Sequence, residues 1–136
     1  MNYEKLRRQL LDHEGMVLKP YRDTVGKLTI GIGRNLADRG ISEEEALFLL
    51  ENDIEMCVAD LNKALPWWTT LSEARQHVLL DMCFNLGIGR LLGFKNTLVA
   101  VRDGNYEKAA RGMLASLWAK QVGRRAFRLA TMMREG

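Results

Sequence analysis

The 136-residue chain is poor in proline and cysteine, with only Pro20 and Pro66 and only Cys57 and Cys83. Few prolines and no low-complexity stretch argue against disorder. Two widely separated cysteines make neither a zinc set nor a disulfide framework. They read as reduced, buried thiols that pack as small hydrophobes. No segment reaches the roughly 18 apolar residues that a membrane-spanning helix needs. The N-terminus, charged at Glu4, Lys5, Arg7 and Arg8, lacks the apolar run of a signal peptide. A substrate beyond a membrane would then have to be reached by another route. Cofactor signatures are also missing. Gly31-x-Gly33 has Leu36 where a dinucleotide fingerprint needs its third glycine, and no βαβ unit follows. No cofactor and no metal are expected.

What is present is an ordinary globular composition, 47% hydrophobic and 27% charged. A chain of this length fits one domain and should bury roughly two-thirds of its unfolded surface. The net charge of +3 gives mild attraction to polyanions, among them nucleic acid, anionic lipid and bacterial wall polymers.

Along the chain, Tyr3, Leu6 and Leu10 recur at helical spacing over residues 2–12, and Gly15 fits a C-terminal cap beside Glu14. From Met16 to Asn35 the character changes. Pro20, Gly26, Gly31 and Gly33 break up short runs, which predicts a hairpin or a small three-stranded sheet. Ser42 with Glu45 is a capping box, followed by Leu47, Leu50, Ile54, Cys57, Val58 and Leu61 in helical register until Pro66. Another helix begins near Ser72 and runs until Gly87, Gly89 and Gly93 interrupt it. The remainder reads as three short helices, at residues 96–101, 106–117 and 124–133, with Asp103-Gly104-Asn105 as a turn. The fold class is therefore α+β, a single domain of residues 1–136. Its parts are a small N-terminal sheet lobe (residues 14–40), a long joining helix (42–63) and a larger helical lobe (66–136 with 1–13).

Hydrolysis of a glycosidic bond needs an acid to protonate the leaving oxygen and a second carboxylate to activate water or stabilise positive charge. Glu14 at a helix end and Asp23 in the sheet region could supply the two. Spacing alone does not single them out among 17 acidic residues, most of which serve as solvated surface charges. The string that contains them does. Glu14-Gly15, Tyr21-Arg22-Asp23, Gly26 and Thr29-Ile30-Gly31-Ile32-Gly33 closely resemble the catalytic segment of the T-even phage-type lysozymes, the family 24 glycoside hydrolases. The resemblance extends through Asn52-Asp53, the run from Met82 to Gly87, Gly93-Phe94, Asn96-Thr97-Leu98, and Trp118 with Gln121 and Arg125.

The resemblance implies a lysozyme-like fold and an endolysin that cuts the β-1,4 bond between N-acetylmuramic acid and N-acetylglucosamine. Glu14 would be the general acid, Asp23 the partner carboxylate and Thr29 a hydroxyl that places the attacking water. Inversion would require carboxyl groups roughly 6.5–9.5 Å apart. Arg125 matches an arginine that pairs with the catalytic glutamate. Asn35, Phe84, Asn85, Thr97 and Gln121 match glycan-contacting positions, while Trp118 is read as packing beneath the site. The implied partner is bacterial peptidoglycan, met by a monomer that accumulates in the host cytoplasm and reaches the wall through a holin or another membrane lesion.

The chain departs from the family at several points. Arg34 follows the Gly-x-Gly where relatives carry a histidine, and an Arg34–Asp53 ion pair is the expected replacement for the histidine's tie to an acid. His13 precedes the acid in place of an aspartate, Gly112 replaces a polar binding residue, and the segment between Asn35 and Ser42 is short.

Two other readings compete. A non-catalytic, wall-binding descendant of the fold would have no need of the Glu14, Asp23 and Thr29 set. A nucleic-acid module built on Arg111, Lys120, Arg124, Arg125 and Arg128 would leave the segment from Glu14 to Gly33 unexplained.

Overall fold

Asn2 starts the first helix, accepting from the Lys5 N–H at 3.0 Å, and α1 runs Tyr3–Glu14. Gly15, at φ 72°, ends it with an N–H bond to the Leu11 carbonyl, as the sequence predicts. In the computed structural model, which describes residues Met1–Gly136, the chain forms two compact units, Met1–Phe48 and Leu49–Gly136.

In the first unit the expected sheet has three strands, β1 (Val17–Arg22), β2 (Leu28–Gly31) and β3 (Arg34–Asn35), all antiparallel in the order β1-β2-β3. Tyr21 and Asn35 both lie opposite Thr29, which puts Thr29 on the central strand with a neighbour on each side. Asn35 caps a short helix absent from the sequence reading, α2 (Leu36–Arg39), by accepting from the Asp38 N–H.

The capping box forms as predicted: the Glu45 N–H donates to Ser42 Oγ at 3.1 Å, and the Ser42 N–H donates to Glu45 Oε1 at 2.9 Å. It opens α3 (Glu43–Ala64), whose first turn also carries Glu43 and Glu44 at the positive end of the helix dipole. This helix begins in the first unit and continues into the second. It stops before Pro66, which opens a 3₁₀ turn, Pro66–Thr70.

The second unit is helical: α4 (Glu73–Leu86), α5 (Ile88–Leu92), α6 (Lys95–Arg102), α7 (Tyr106–Leu114), α8 (Leu117–Val122) and α9 (Arg124–Glu135). The segment 106–117, expected as one helix, is broken by Ser116. Its hydroxyl donates to the Met113 carbonyl at 2.7 Å and accepts from the Ala119 N–H at 3.2 Å, ending α7 and capping α8. Helix α5 was also unforeseen. Gly87, at φ 81°, turns the chain out of α4 and a new helix starts at once, so the glycines redirect the helix instead of ending it.

The core lies in this unit. Leu61, Val78, Leu79, Met82, Leu91, Met113 and Met133 are each at most 1% exposed. A fully buried side chain of this size contributes about 1.5–3 kcal/mol. On α9 the buried residues are Ala126, Leu129, Ala130 and Met133, the i, i+3, i+4, i+7 stripe of a helix with one apolar face. Buried alanines on α7 (Ala109, Ala110) and on α9 allow these two helices to pack closely.

Arg75 ties three helix ends together. Its Nε donates to the Met133 carbonyl at 2.8 Å and its Nη2 to the Arg134 carbonyl at 3.1 Å, while the guanidinium lies 3.4 Å over the Tyr106 ring. Both cysteines are buried free thiols, as expected. Burial first, and then the neighbouring Cys57 thiol, push Cys83 up to about 12. No helix is long and apolar enough to cross a membrane.

Candidate active site

Glu14 is the last residue of α1, so Gly15 sets where its side chain leaves the helix. The carboxyl group rests against Gly33. A Cβ at that position would lie 2.7 Å from Glu14 Oε2 and 2.8 Å from Glu14 Cδ, and Gly33 holds φ +73°. Only glycine meets both conditions without strain. Sequence reasoning used Gly33 as part of a motif and missed this role, although the Gly-x-Gly pattern was the signal.

Asp23 sits in the turn between β1 and β2. Its Oδ1 accepts two backbone N–H groups, from Val25 at 3.0 Å and from Lys27 at 2.8 Å, and its own N–H donates to the Lys27 carbonyl at 2.9 Å. One carboxylate oxygen is thereby fixed, and Oδ2 takes no part in these bonds. Gly26, at φ 86°, supplies the positive-φ residue of this turn.

Thr29 is 3% exposed and is the one buried polar side chain of the protein. Its hydroxyl donates to the Lys27 carbonyl at 2.9 Å. With its only proton committed, the oxygen is left as an acceptor. Lys27 therefore links the two groups, its N–H holding Asp23 and its carbonyl orienting Thr29.

Arg34 takes a partner other than the expected Asp53. Its Nη1 donates to Glu45 Oε1 at 2.8 Å and to the Gly40 carbonyl at 3.2 Å. The capping box explains the choice, because it already fixes the Glu45 carboxylate near the start of α3, where its oxygen has room for a second donor. The Arg34 hydrogen bond, followed by the Ser42 N–H, lowers the Glu45 carboxyl from its usual 4.5 to about 2.

The glycan-contact candidates are divided between the two units. In the first, Asn35 has both ends of its amide engaged, Oδ1 with the Asp38 N–H and Nδ2 with Asp38 Oδ2, each at 3.0 Å. In the second, Phe84 is 45% exposed on α4 and lines an apolar groove with Leu50, Ile54 and Leu129. Asn85 accepts from the Trp118 indole N–H at 2.8 Å, which leaves its NH₂ group open. Trp118 itself is buried, in keeping with a packing role. Thr97 faces Gly112 so closely that any Cβ there would collide with its hydroxyl. Gly112 thus makes room for the Thr97 hydroxyl.

Arg125 lies on Asp81, with Nε and Nη2 both donating to Oδ1 at 2.8 and 2.7 Å. Asp81 was not singled out in the sequence. It falls one residue before the Met82 to Gly87 run, and only the fold brings it to α9.

A sequence profile of the phage lysozyme family matches residues 11–134. Among curated proteins, the pre-baseplate central spike protein Gp5 of Enterobacteria phage T4 is 32% identical over 98% of this chain, which spans only 27% of the spike protein's length. A probable T4-type lysozyme of Dictyostelium discoideum is 28% identical over 90% of this chain and 89% of its own length. The SAR-endolysin of Escherichia phage Mu is 28% identical over 89% of this chain and 70% of its own. With the profile covering the chain from the last turn of α1 to the last turn of α9, this protein belongs to the phage lysozyme family.

Proposed function

We propose that this chain is a muramidase, hydrolysing the β-1,4 bond between N-acetylmuramic acid and N-acetylglucosamine in peptidoglycan with inversion at the anomeric carbon. The observation that carries the reading is the Lys27 link, which fixes Asp23 Oδ1 and commits the Thr29 proton on adjoining parts of one small sheet. With Oδ1 so engaged, Asp23 Oδ2 and the Thr29 hydroxyl oxygen are the two acceptors suited to a water molecule that donates one hydrogen to each and keeps a lone pair for attack.

Glu14 then protonates the glycosidic oxygen as its bond to the anomeric carbon breaks. Water adds to that carbon from the opposite face and passes its proton to Asp23. The products are a free 4-hydroxyl and a reducing sugar of inverted configuration. Solvent returns the two carboxyl groups to their starting protonation. Asn85, Phe84, Thr97, Gln121 and Asn35 are proposed to contact the glycan, and Arg125 to support the site. In a phage setting the product of this activity is lysis of the host, with access to the wall through a membrane lesion.

The test is turbidity clearing of outer-membrane-permeabilised bacteria, with analysis of the released muropeptides. The wild-type chain should clear the suspension and release new reducing ends. Glu14→Gln, which cannot donate the proton, should lose about 10²- to 10⁴-fold in rate while remaining folded. Release by amide cleavage, or equal clearing by the variant, would overturn the proposal.

A further inference from the structure

In the second unit an open pocket of about 500 Å³ is walled by Leu86, Phe94, Leu117 and Trp118, with Arg90 and Gln121 as its polar functions. The fold builds it from the elements the sequence did not foresee. Arg90 is displayed by α5, the five-residue helix that exists because Gly87 turns the chain, and Gly93 closes that helix so tightly that a Cβ would lie 3.1 Å from the Arg90 carbonyl. Gln121 comes from α8, which begins where Ser116 breaks the expected longer helix.

The wall is rigid. Phe94 and Trp118 meet edge to face at 6.1 Å and 85°, and the indole N–H is held by Asn85. The pocket therefore shares a wall with a glycan-contact candidate on α4. Ser116, also on its rim, has its hydroxyl engaged on both sides. The groups left for a ligand are the Arg90 guanidinium and the Gln121 amide. Arg102, Arg111, Arg125 and Arg134 of this unit each face an acid, whereas Arg90 faces none, and no carboxylate lines the pocket.

An apolar wall beside an amide suits the ring and acetamido group of an N-acetylhexosamine. An unpaired guanidinium at the rim calls for an anion in addition, with a planar carboxylate as its natural match. One residue of peptidoglycan carries both, the muramoyl sugar, whose lactyl ether ends in a carboxyl group that is either free or extended by a peptide. We infer that this pocket binds a carboxylate-bearing N-acetylhexosamine, with Arg90 on the carboxylate and Gln121 on the acetamido group. Arg90 then sets the preference for muramoyl over glucosaminyl residues. The inference rests on the muramidase reading for the identity of the polymer.

The test is titration of the wild-type chain and Arg90→Gln with N-acetylglucosamine, N-acetylmuramic acid and N-acetylmuramoyl dipeptide, followed by NMR shifts of the Arg90, Leu117 and Gln121 amides. N-acetylmuramic acid should bind at least about 5-fold more tightly than N-acetylglucosamine, a margin typical of one partly exposed charge-assisted contact. Arg90→Gln should erase that margin and leave N-acetylglucosamine binding unchanged. The dipeptide arm tells the lactyl carboxylate from one further along the stem. Equal affinity for the two sugars, or a margin that survives Arg90→Gln, overturns the inference. Wall clearing without the sugar preference removes this inference alone, whereas the preference without wall clearing removes only the catalytic reading.

Discussion

Between Met1 and Phe48 a single side chain is buried, Thr29, whereas between Leu49 and Gly136 twenty apolar side chains are. The first unit holds its geometry through directed contacts: the Asp23 turn, the Asn35 cap, the Ser42–Glu45 box, the Arg34–Glu45 pair and glycines at positive φ. The second holds its geometry through packing. Proposed chemistry that depends on the direction of a proton sits where hydrogen bonds set positions. Most of the proposed glycan contacts sit on the packed scaffold, where rigidity comes from the core. Substitutions in the two units should therefore fail in different ways.

The largest effect on stability is expected in the second unit. Leu79→Ala removes a side chain that is 1% exposed and should cost about 2–5 kcal/mol in denaturant unfolding, with the remaining folded protein keeping its specific activity. A loss under 1 kcal/mol would mean that the helical unit is less tightly packed than its burial implies.

Gly33→Ala should show the opposite balance. The positive φ costs about 1–2 kcal/mol, but the new methyl displaces the Glu14 carboxylate, so wall clearing should fall by at least about 10-fold. If activity survives while stability drops as far as in Leu79→Ala, the contrast between the units is wrong.

The smallest effect is one of pH. Glu45, held at about 2 in the fold against an ordinary 4.5, adds stability that is complete above pH 4.5 and is lost as the pH falls toward 2. The gap in thermal midpoint between the wild type and Glu45→Gln should therefore be widest at neutral pH and close across that acid window. Glutamine can keep the capping box but not the charge facing Arg34, so a gap that does not narrow in acid would mean that this charge is not its source.

The sequence carried these features unevenly, and the reason is the range of each interaction. Ser42, Glu45 and Gly15 act within four residues, and each could be read directly. The sheet was visible from its turn residues. Arg34 was assigned the wrong acid because the choice between Glu45 and Asp53 depends on side-chain direction, which the cap at the start of α3 decides. The α5 and α8 helices were missed because Gly87 and Ser116 look like terminators until the packing behind them shows that they redirect the chain. Gly33 as the seat of Glu14, and Asp81 as the partner of Arg125, are contacts across 19 and 44 residues that periodicity does not encode.

Arg75 carries a consequence for the time course of folding. Its bonds to the Met133 and Arg134 carbonyls join residues 58 and 59 apart in sequence, and it reaches them across the ring of Tyr106. Closing so long a loop requires α4, α7 and α9 to be in place first, so the contact forms late on the way to the native state. A contact absent from the transition state does little to hasten folding and mainly slows escape. The last turn of the chain is thus secured by a latch that acts on the lifetime of the native fold and not on the speed of reaching it.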